Sequence, residues 1–176
     1  MPKRKSLRLK AFDYSSNGAY YVTVCVEGKR QLLGEVVGGA HPGAPAVRLS
    51  ELGHMVKTHI ENIDAVYNNV SVEKYVVMPN HIHIILLVAH ERDTGCGNNA
   101  RDARCASPTK SVIAKVINAL KSLTSRQFGK TLWQRSYHDH IIRNQADYQT
   151  KWQYIDQNPA KWADDEYYNQ QKGGAI

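Results

Sequence analysis

Two residue pairs in this chain have the types and spacing to do chemistry: His81 with His83, and Tyr154 with Asn158. In an extended strand, residues i and i+2 face the same way about 7 Å apart. Two imidazoles placed so can share one divalent ion while Ile82 and Ile84 face a core. The same spacing suits two polar residues on a solvent-facing strand, so the histidines alone leave both readings open. Tyr154 and Asn158, at i and i+4, share a face if the segment is helical. They read equally as a surface pair, or with Tyr154 completing the apolar side next to Trp152 and Ile155.

Together the pairs suggest one chemistry. A divalent ion held by two histidines and an amide oxygen keeps positions open for a phosphate oxygen and acts as a Lewis acid. A tyrosine hydroxyl nearby can attack the polarised phosphorus, and the phosphotyrosine link stores the bond energy for a later rejoining step without ATP. A free phenol titrates near 10, so attack at neutral pH needs the metal or a base. An oxygen-rich substrate and mixed nitrogen and oxygen donors suit Mg²⁺ or Mn²⁺ better than zinc.

These residues need a strand and a helix to carry them, and the hydrophobic pattern supplies both. His81–Val88 is an apolar, β-branched run, preceded by the valine-rich Val70–Met78 and a Pro79-Asn80 turn, which reads as two antiparallel strands. Ala19–Val26 is a further strand, and Gln31–Val37 can return beside it as the second arm of a hairpin. Ser50 caps a helix over about 51–66, with Leu52, Met55, Val56, Ile60, Ile63 and Val66 at helical spacing. A second helix follows Thr109 and ends at Gly129, with Val112, Ile113, Val116, Ile117, Leu120 and Leu123 on one side. The stretch 132–143 contains a short edge strand. Asn144 caps a third helix, whose inner face is Tyr148, Trp152 and Ile155, and Pro159 stops it near Asn158. Strand pairs joined by tight turns, with helices between them, predict an α+β fold: an antiparallel sheet with helices packed on one face.

The chain of 176 residues carries 23 Lys+Arg against 16 Asp+Glu, a formal charge of +7, and its sequence pI is near 9.3. One domain is expected over 1–176, with a basic N-terminal arm (1–18), a flexible loop (89–108) and a polar C-terminal tail (163–176) from which little is expected. No apolar run reaches the roughly 20 residues of a membrane span, and the apolar stretch that a secretion signal needs does not follow the basic start. Cys25, Cys96 and Cys105 are an odd number without a CxxC pair, which disfavours a disulfide framework or a zinc ribbon. A cytoplasmic protein is expected. The positive charge makes nucleic acid a sensible partner without establishing it.

The segment Tyr75-Val-Val-Met-Pro-Asn-His81-Ile-His83-Ile-Ile-Leu-Leu resembles the histidine–hydrophobic–histidine strand of the HUH single-tyrosine transposases. Trp133–Asn144, followed by Tyr154-Ile-Asp-Gln-Asn158-Pro159, resembles the second signature of the REP-associated tyrosine transposases within that group. The resemblance spans roughly residues 8–162. It implies a ferredoxin-like fold that cuts single-stranded DNA beside an imperfect hairpin and becomes joined to a 5′ phosphate. By position it makes His81 and His83 metal ligands, Tyr154 the nucleophile and Asn158 the third ligand, where relatives commonly carry glutamine. Implied cofactors are Mg²⁺ or Mn²⁺. The implied partner is hairpin-bearing single-stranded DNA, with no membrane involved, and the protein is a monomer or a homodimer.

Other residues carry expectations of their own. His138 and His140 form another HxH, and the resemblance makes His140 a residue behind the ligands or in packing. Arg143 and Arg135 are placed to contact phosphate or brace the site. Lys3, Arg4, Lys5, Arg8 and Lys10 form a basic arm that can follow a DNA backbone, or be a solvated tail. Tyr14, Tyr20 and Tyr21 either stack on bases or fill the sheet. Two rival functions stay open: a non-catalytic hairpin-binding protein, and a small-molecule metal hydrolase using His81, His83 and the His138/His140 pair.

Overall fold

A computed structural model of the chain describes residues 17–38, 45–89 and 112–168. Its strands are β1 (Gly18–Cys25), β2 (Gly34–Val37), β3 (Ala46–Leu49), β4 (Val70–Val77), β5 (His81–Val88) and β6 (His138–Ile142). The helices are α1 (Glu51–Glu61), the single turn α2 (Ile63–Val66), α3 (Val112–Phe128) and α4 (Gln145–Gln157), with 3-10 turns at Glu27–Lys29 and Trp162–Asp164. Four strands form one sheet in the order β4-β5-β1-β6, antiparallel at every neighbour. This is the split β-α-β arrangement of a ferredoxin-like fold, in which β5 returns between β4 and β1. The expected α+β class is what the structure shows.

Alternation along the two central strands divides the sheet into two chemically different faces. Tyr20, Val22 and Val24 of β1, with Ile82, Ile84, Leu86 and Val88 of β5, join Val56 and Ile60 of α1 and Ile113, Val116, Ile117 and Leu120 of α3 in the main core. The other face carries Tyr21, Thr23 and Cys25 of β1 beside His81, His83 and Ile85 of β5. Here α4 packs through Ile155 against Tyr21 and Ile85, with Tyr148 and Trp152 alongside. The helices are expected on one face; α1 and α3 lie there, whereas α4 packs against the opposite face through Ile155. Covering on both faces is why β5 is buried from end to end except at Leu87.

The caps form as expected. Ser50 Oγ accepts from the Gly53 N–H at 3.0 Å, and Asn144 Oδ1 from that of Asp147 at 2.9 Å. Several expectations are corrected. The segment 31–37 does not pair with β1: β2 pairs instead with β3, a strand not anticipated, across a separate two-stranded ribbon. The helix over 51–66 breaks at Asn62, and Val66 is 68% exposed. Leu123 is exposed, and Thr124 takes the inward position because its hydroxyl accepts from Trp133 Nε1 at 2.7 Å and donates to the Leu120 carbonyl. Asn158 keeps helical dihedrals in front of Pro159. Tyr20 and Tyr21 fill the sheet. The basic arm (Lys3, Arg4, Lys5, Arg8 and Lys10), Tyr14, most of the 89–108 loop, Cys96 and Cys105 lie outside the described residues. Among the described residues, no helix is long and apolar enough to cross a membrane.

Gly53 is where α1 crosses the β2 entry most closely, since a Cβ there would meet the Leu33 carbonyl oxygen at 1.9 Å. Helix propensity alone favours alanine over glycine by about 1 kcal/mol. Gly53→Ala is nonetheless expected to destabilise the protein by roughly 1–3 kcal/mol, because backbone must move to admit the methyl. Urea unfolding of the two proteins measures it, and a stabilised variant would contradict this packing.

Candidate active site

Antiparallel register places the histidine strand beside β1 so that Cys25 stands opposite His81 and Thr23 opposite His83. Both imidazoles point to the α4 side and are essentially without solvent contact, at 0% and 1% exposure. Each ring uses Nδ1 outward and Nε2 inward. His83 Nδ1 lies 2.7 Å from the Tyr21 hydroxyl and 2.8 Å from Thr23 Oγ1, while His81 Nδ1 lies 2.8 Å from Asn80 Oδ1. The two Nε2 atoms face one another at 2.9 Å.

From above the sheet, α4 and the segment after it supply the remaining groups. Tyr154 stands edge-on to His83 with ring centroids 5.3 Å apart, and its hydroxyl donates to Asp165 Oδ2 at 3.2 Å. Asn158, one turn on and 2% exposed, donates Nδ2 to the same oxygen at 2.7 Å. Asp165 Oδ1 accepts from the Tyr167 N–H at 2.7 Å, which fixes the carboxylate from both ends. The Tyr167 ring lies over both histidines, 4.7 Å from His81 and 5.9 Å from His83, and Trp162 flanks His81 at 5.9 Å.

Electrostatics keep this cluster neutral at its centre. Burial pushes both histidines well down from the usual imidazole value. For His83 the charges of His81 and Lys151 add to it, whereas Asp165 and the Asn158 side chain oppose it at His81. Tyr154, half-buried, is pushed up to about 12 by desolvation and then by the charge and hydrogen bond of Asp165. It rests as a neutral phenol.

The donor set fits a divalent cation. One donor atom each from His81, His83 and Asp165 lies within 4.8 Å of the others, the group among the described residues that can hold a metal. Two adjacent ligands of an octahedral ion about 2.1 Å away stand about 3 Å apart, close to the Nε2 separation. Asn158 Oδ1 is buried without a hydrogen-bond partner. Such an orphaned amide oxygen beside His81 is a donor waiting for an acceptor of its lone pair. The sequence pairs are thus brought together, and Asp165 and Tyr167 join them from the tail of which little is expected. The signal for those two was weak: an acidic run, Asp164-Asp165-Glu166, next to two tyrosines, with no periodicity to place it.

Beside the cluster runs a cleft of about 530 Å³, lined among others by Lys29, Gln134, His138, His140, Lys151 and Tyr154. His140 reaches it with Nε2 bound to Asp147 Oδ2 at 2.8 Å. Neither His138 nor His140 belongs to the metal-capable group. Arg135 and Arg143 are exposed and do not line the cleft; the Arg143 backbone N–H donates to Asp147.

The fold and part of the sequence recur elsewhere. An uncharacterised protein of Haemophilus influenzae is 30% identical over 173 residues, 94% of this chain and 93% of its own. A solved structure of a REP-associated tyrosine transposase bound to a REP hairpin superposes with a TM-score of 0.60 at 20% identity, covering 88% of this chain and 74% of that one. A Deinococcus radiodurans structure, provisionally assigned as a transposase, covers 85% of this chain and 96% of its own at 18% identity, with a TM-score of 0.46. No protein-family model matches the chain. The resemblance drawn from the histidine strand and the tyrosine helix is borne out at the level of the fold.

The lowered histidine values set a pH dependence of stability. A buried neutral imidazole resists protonation, whereas the unfolded one takes up a proton near pH 6.5. On acidification the unfolded state therefore binds protons first. The contribution of the pair is full above about pH 7 and is lost as pH falls through 6.5, by at most about 1.4 kcal/mol per pH unit for each histidine. Urea unfolding between pH 8 and 5 is expected to show this fall, and His83→Gln to make it shallower. Equal slopes in the two proteins would contradict the neutral pair.

Proposed function

We propose, for a chain that belongs to one family with the Haemophilus influenzae protein and has the fold of the REP-associated tyrosine transposase, that it cuts and rejoins single-stranded DNA beside hairpins through Tyr154. One observation carries the reading: the Tyr154 hydroxyl and the facing Nε2 atoms of His81 and His83 meet around one carboxylate, Asp165, although they come from well-separated parts of the sequence. The solved structure bound to a REP hairpin supports the class of partner.

In this reading His81 and His83 hold a divalent cation through Nε2, and Asn158 Oδ1 and the Asp165 carboxylate supply oxygen donors. Mg²⁺ or Mn²⁺ bound there supplies Lewis acidity to a phosphate oxygen. Tyr154 Oη attacks the phosphorus and gives up its proton; the bond to the 3′ oxygen breaks, and that oxygen takes up one proton in exchange and leaves as a 3′ hydroxyl, so the 5′ phosphate stays on tyrosine with no net change in protons. Asp165 Oδ2 is the acceptor already in place for the phenol proton. Lys151 and Lys29 put positive charge along the cleft where the strand's phosphates would lie. Tyr167 and Trp162 pack beside the imidazoles, which have essentially no solvent contact in this state. His140, held by Asp147, lines the cleft as a brace; Arg135 and Arg143 contact DNA outside the cleft, and the basic arm Lys3, Arg4, Lys5, Arg8 and Lys10 adds positive charge for the DNA backbone. The small-molecule hydrolase reading loses its motive, since His138 and His140 stand apart from the metal-capable group.

The test is incubation of labelled single-stranded DNA from both flanks of the protein's own gene with Mg²⁺ or Mn²⁺, resolved on a denaturing protein gel. A metal-dependent protein–DNA adduct is expected, reduced by roughly 10³-fold or more in Tyr154→Phe. Tight hairpin binding without adduct under every metal would favour a non-catalytic binder. Asn158→Ala and Asp165→Ala are each expected to weaken Mn²⁺ binding by about tenfold or more, read by the electron paramagnetic resonance of free Mn²⁺. Unchanged binding in either would remove that residue from the ligand set.

A further inference from the structure

Asn80 sits in the turn between β4 and β5, wholly buried. Its Nδ2 lies 3.2 Å from the Lys29 carbonyl oxygen and 2.8 Å from that of Tyr167. Both partners only accept, so the amide NH₂ must face them, and this settles which end of the side chain faces His81. The end 2.8 Å from His81 Nδ1 is therefore the amide oxygen, which also only accepts. His81 Nδ1 must carry a proton. In the imidazole so held, the proton sits on Nδ1 and Nε2 presents its lone pair.

His83 is held differently. Its Nδ1 meets two hydroxyls, Tyr21 and Thr23, and a hydroxyl can either give or take a hydrogen bond. The 2.9 Å contact between the two Nε2 atoms needs one proton, and His81 has none there. It therefore comes from His83 Nε2, while His83 Nδ1 accepts from a hydroxyl. For a cation to bind both Nε2 atoms, that proton must move to Nδ1, where a rotated Tyr21 or Thr23 hydroxyl accepts it. No proton needs to leave the site.

We infer that Asn80 is a positioning residue that locks His81 as a ready ligand in the Nδ1–H tautomer, and that His83 is the ligand that changes tautomer on cation binding. The cation half of this rests on the reading under Proposed function; the tautomer assignment does not. Asn80 also joins the ligand to the segment that covers it, since the same amide holds the Tyr167 backbone.

The experiment is long-range ¹H–¹⁵N correlation NMR of the full chain labelled at histidine, without metal and then with Mg²⁺, alongside Mn²⁺ titration followed by electron paramagnetic resonance. Without metal, His81 is expected as Nδ1–H and His83 as Nε2–H; with Mg²⁺, His83 is expected to switch to Nδ1–H while His81 stays. Asn80→Ala is expected to lose the fixed His81 tautomer and to weaken Mn²⁺ binding roughly 10–100-fold. Asn80→Asp, which still accepts from Nδ1–H but no longer donates to Lys29 and Tyr167, is expected to restore the His81 tautomer. His81 found as Nε2–H in the unsubstituted protein would overturn the inference without needing any variant. An Asn80→Ala protein with the tautomer and Mn²⁺ affinity unchanged would overturn it as well. The stated tautomers in a protein that binds neither ion would support Asn80's role and overturn the cation reading alone.

Discussion

Two imidazoles with no access to water must find every hydrogen-bond partner inside the protein, and most of the arrangement around β5 answers that requirement. A buried polar nitrogen left unpaired costs on the order of 1–3 kcal/mol, and here there are four. Thr23 and Tyr21 reach one from β1, Asn80 reaches another from the turn, and the remaining two face each other. The antiparallel register decides whether these partners exist. A slip of one residue would turn His83 into the apolar core and bring Ile82 or Ile84 to the site face. The main core therefore stabilises the site indirectly: the apolar residues on one face of β5 hold the register that serves the polar residues on the other.

Helix α4 faces a related demand. Ile155 anchors it in a small cluster with Tyr21 and Ile85, and Lys74 adds a cation–π contact over Trp152 at 4.1 Å and an ion pair with Asp156. That anchoring turns the Tyr154–Asn158 side of the helix to the histidines. Beyond it the chain turns back, and Asp165 gathers the Tyr154 hydroxyl, the Asn158 amide and the Tyr167 N–H on its two oxygens. A carboxylate with three donors and two imidazoles close by is poised between two roles, as an anchor for the segment over the site and as an oxygen donor within it. The Asn80 amide repeats the theme on the far side, since it holds His81 and Tyr167 at once.

Much of this was legible from residue spacing because periodicity is a local property. The caps at Ser50 and Asn144, the apolar face of α4, most of those of α1 and α3, and the two strands around Pro79-Asn80 formed where hydrophobic alternation and cap chemistry put them, whereas Val66 and Leu123 turned outward. The pairing of β2 with β3 was not legible: hairpin partners depend on which edge is free, and β1 is already flanked by β5 and β6. Leu123 and Thr124 exchanged places because a hydroxyl that satisfies the Trp133 indole N–H is worth burying, a fact about a residue nine positions away.

The same division runs through the site. The sequence by itself determined that His81 and His83 share one side of a strand and that Tyr154 and Asn158 share one side of a helix. Only the tertiary structure decided that the two sides meet, because that depends on α4 packing against the sheet face away from α1 and α3. It alone brought in Asp165 and Tyr167, whose segment has no periodicity and is placed by individual hydrogen bonds. And it alone gave the two histidines different partners, an amide for one and hydroxyls for the other, since those partners come from the turn and from the neighbouring strand.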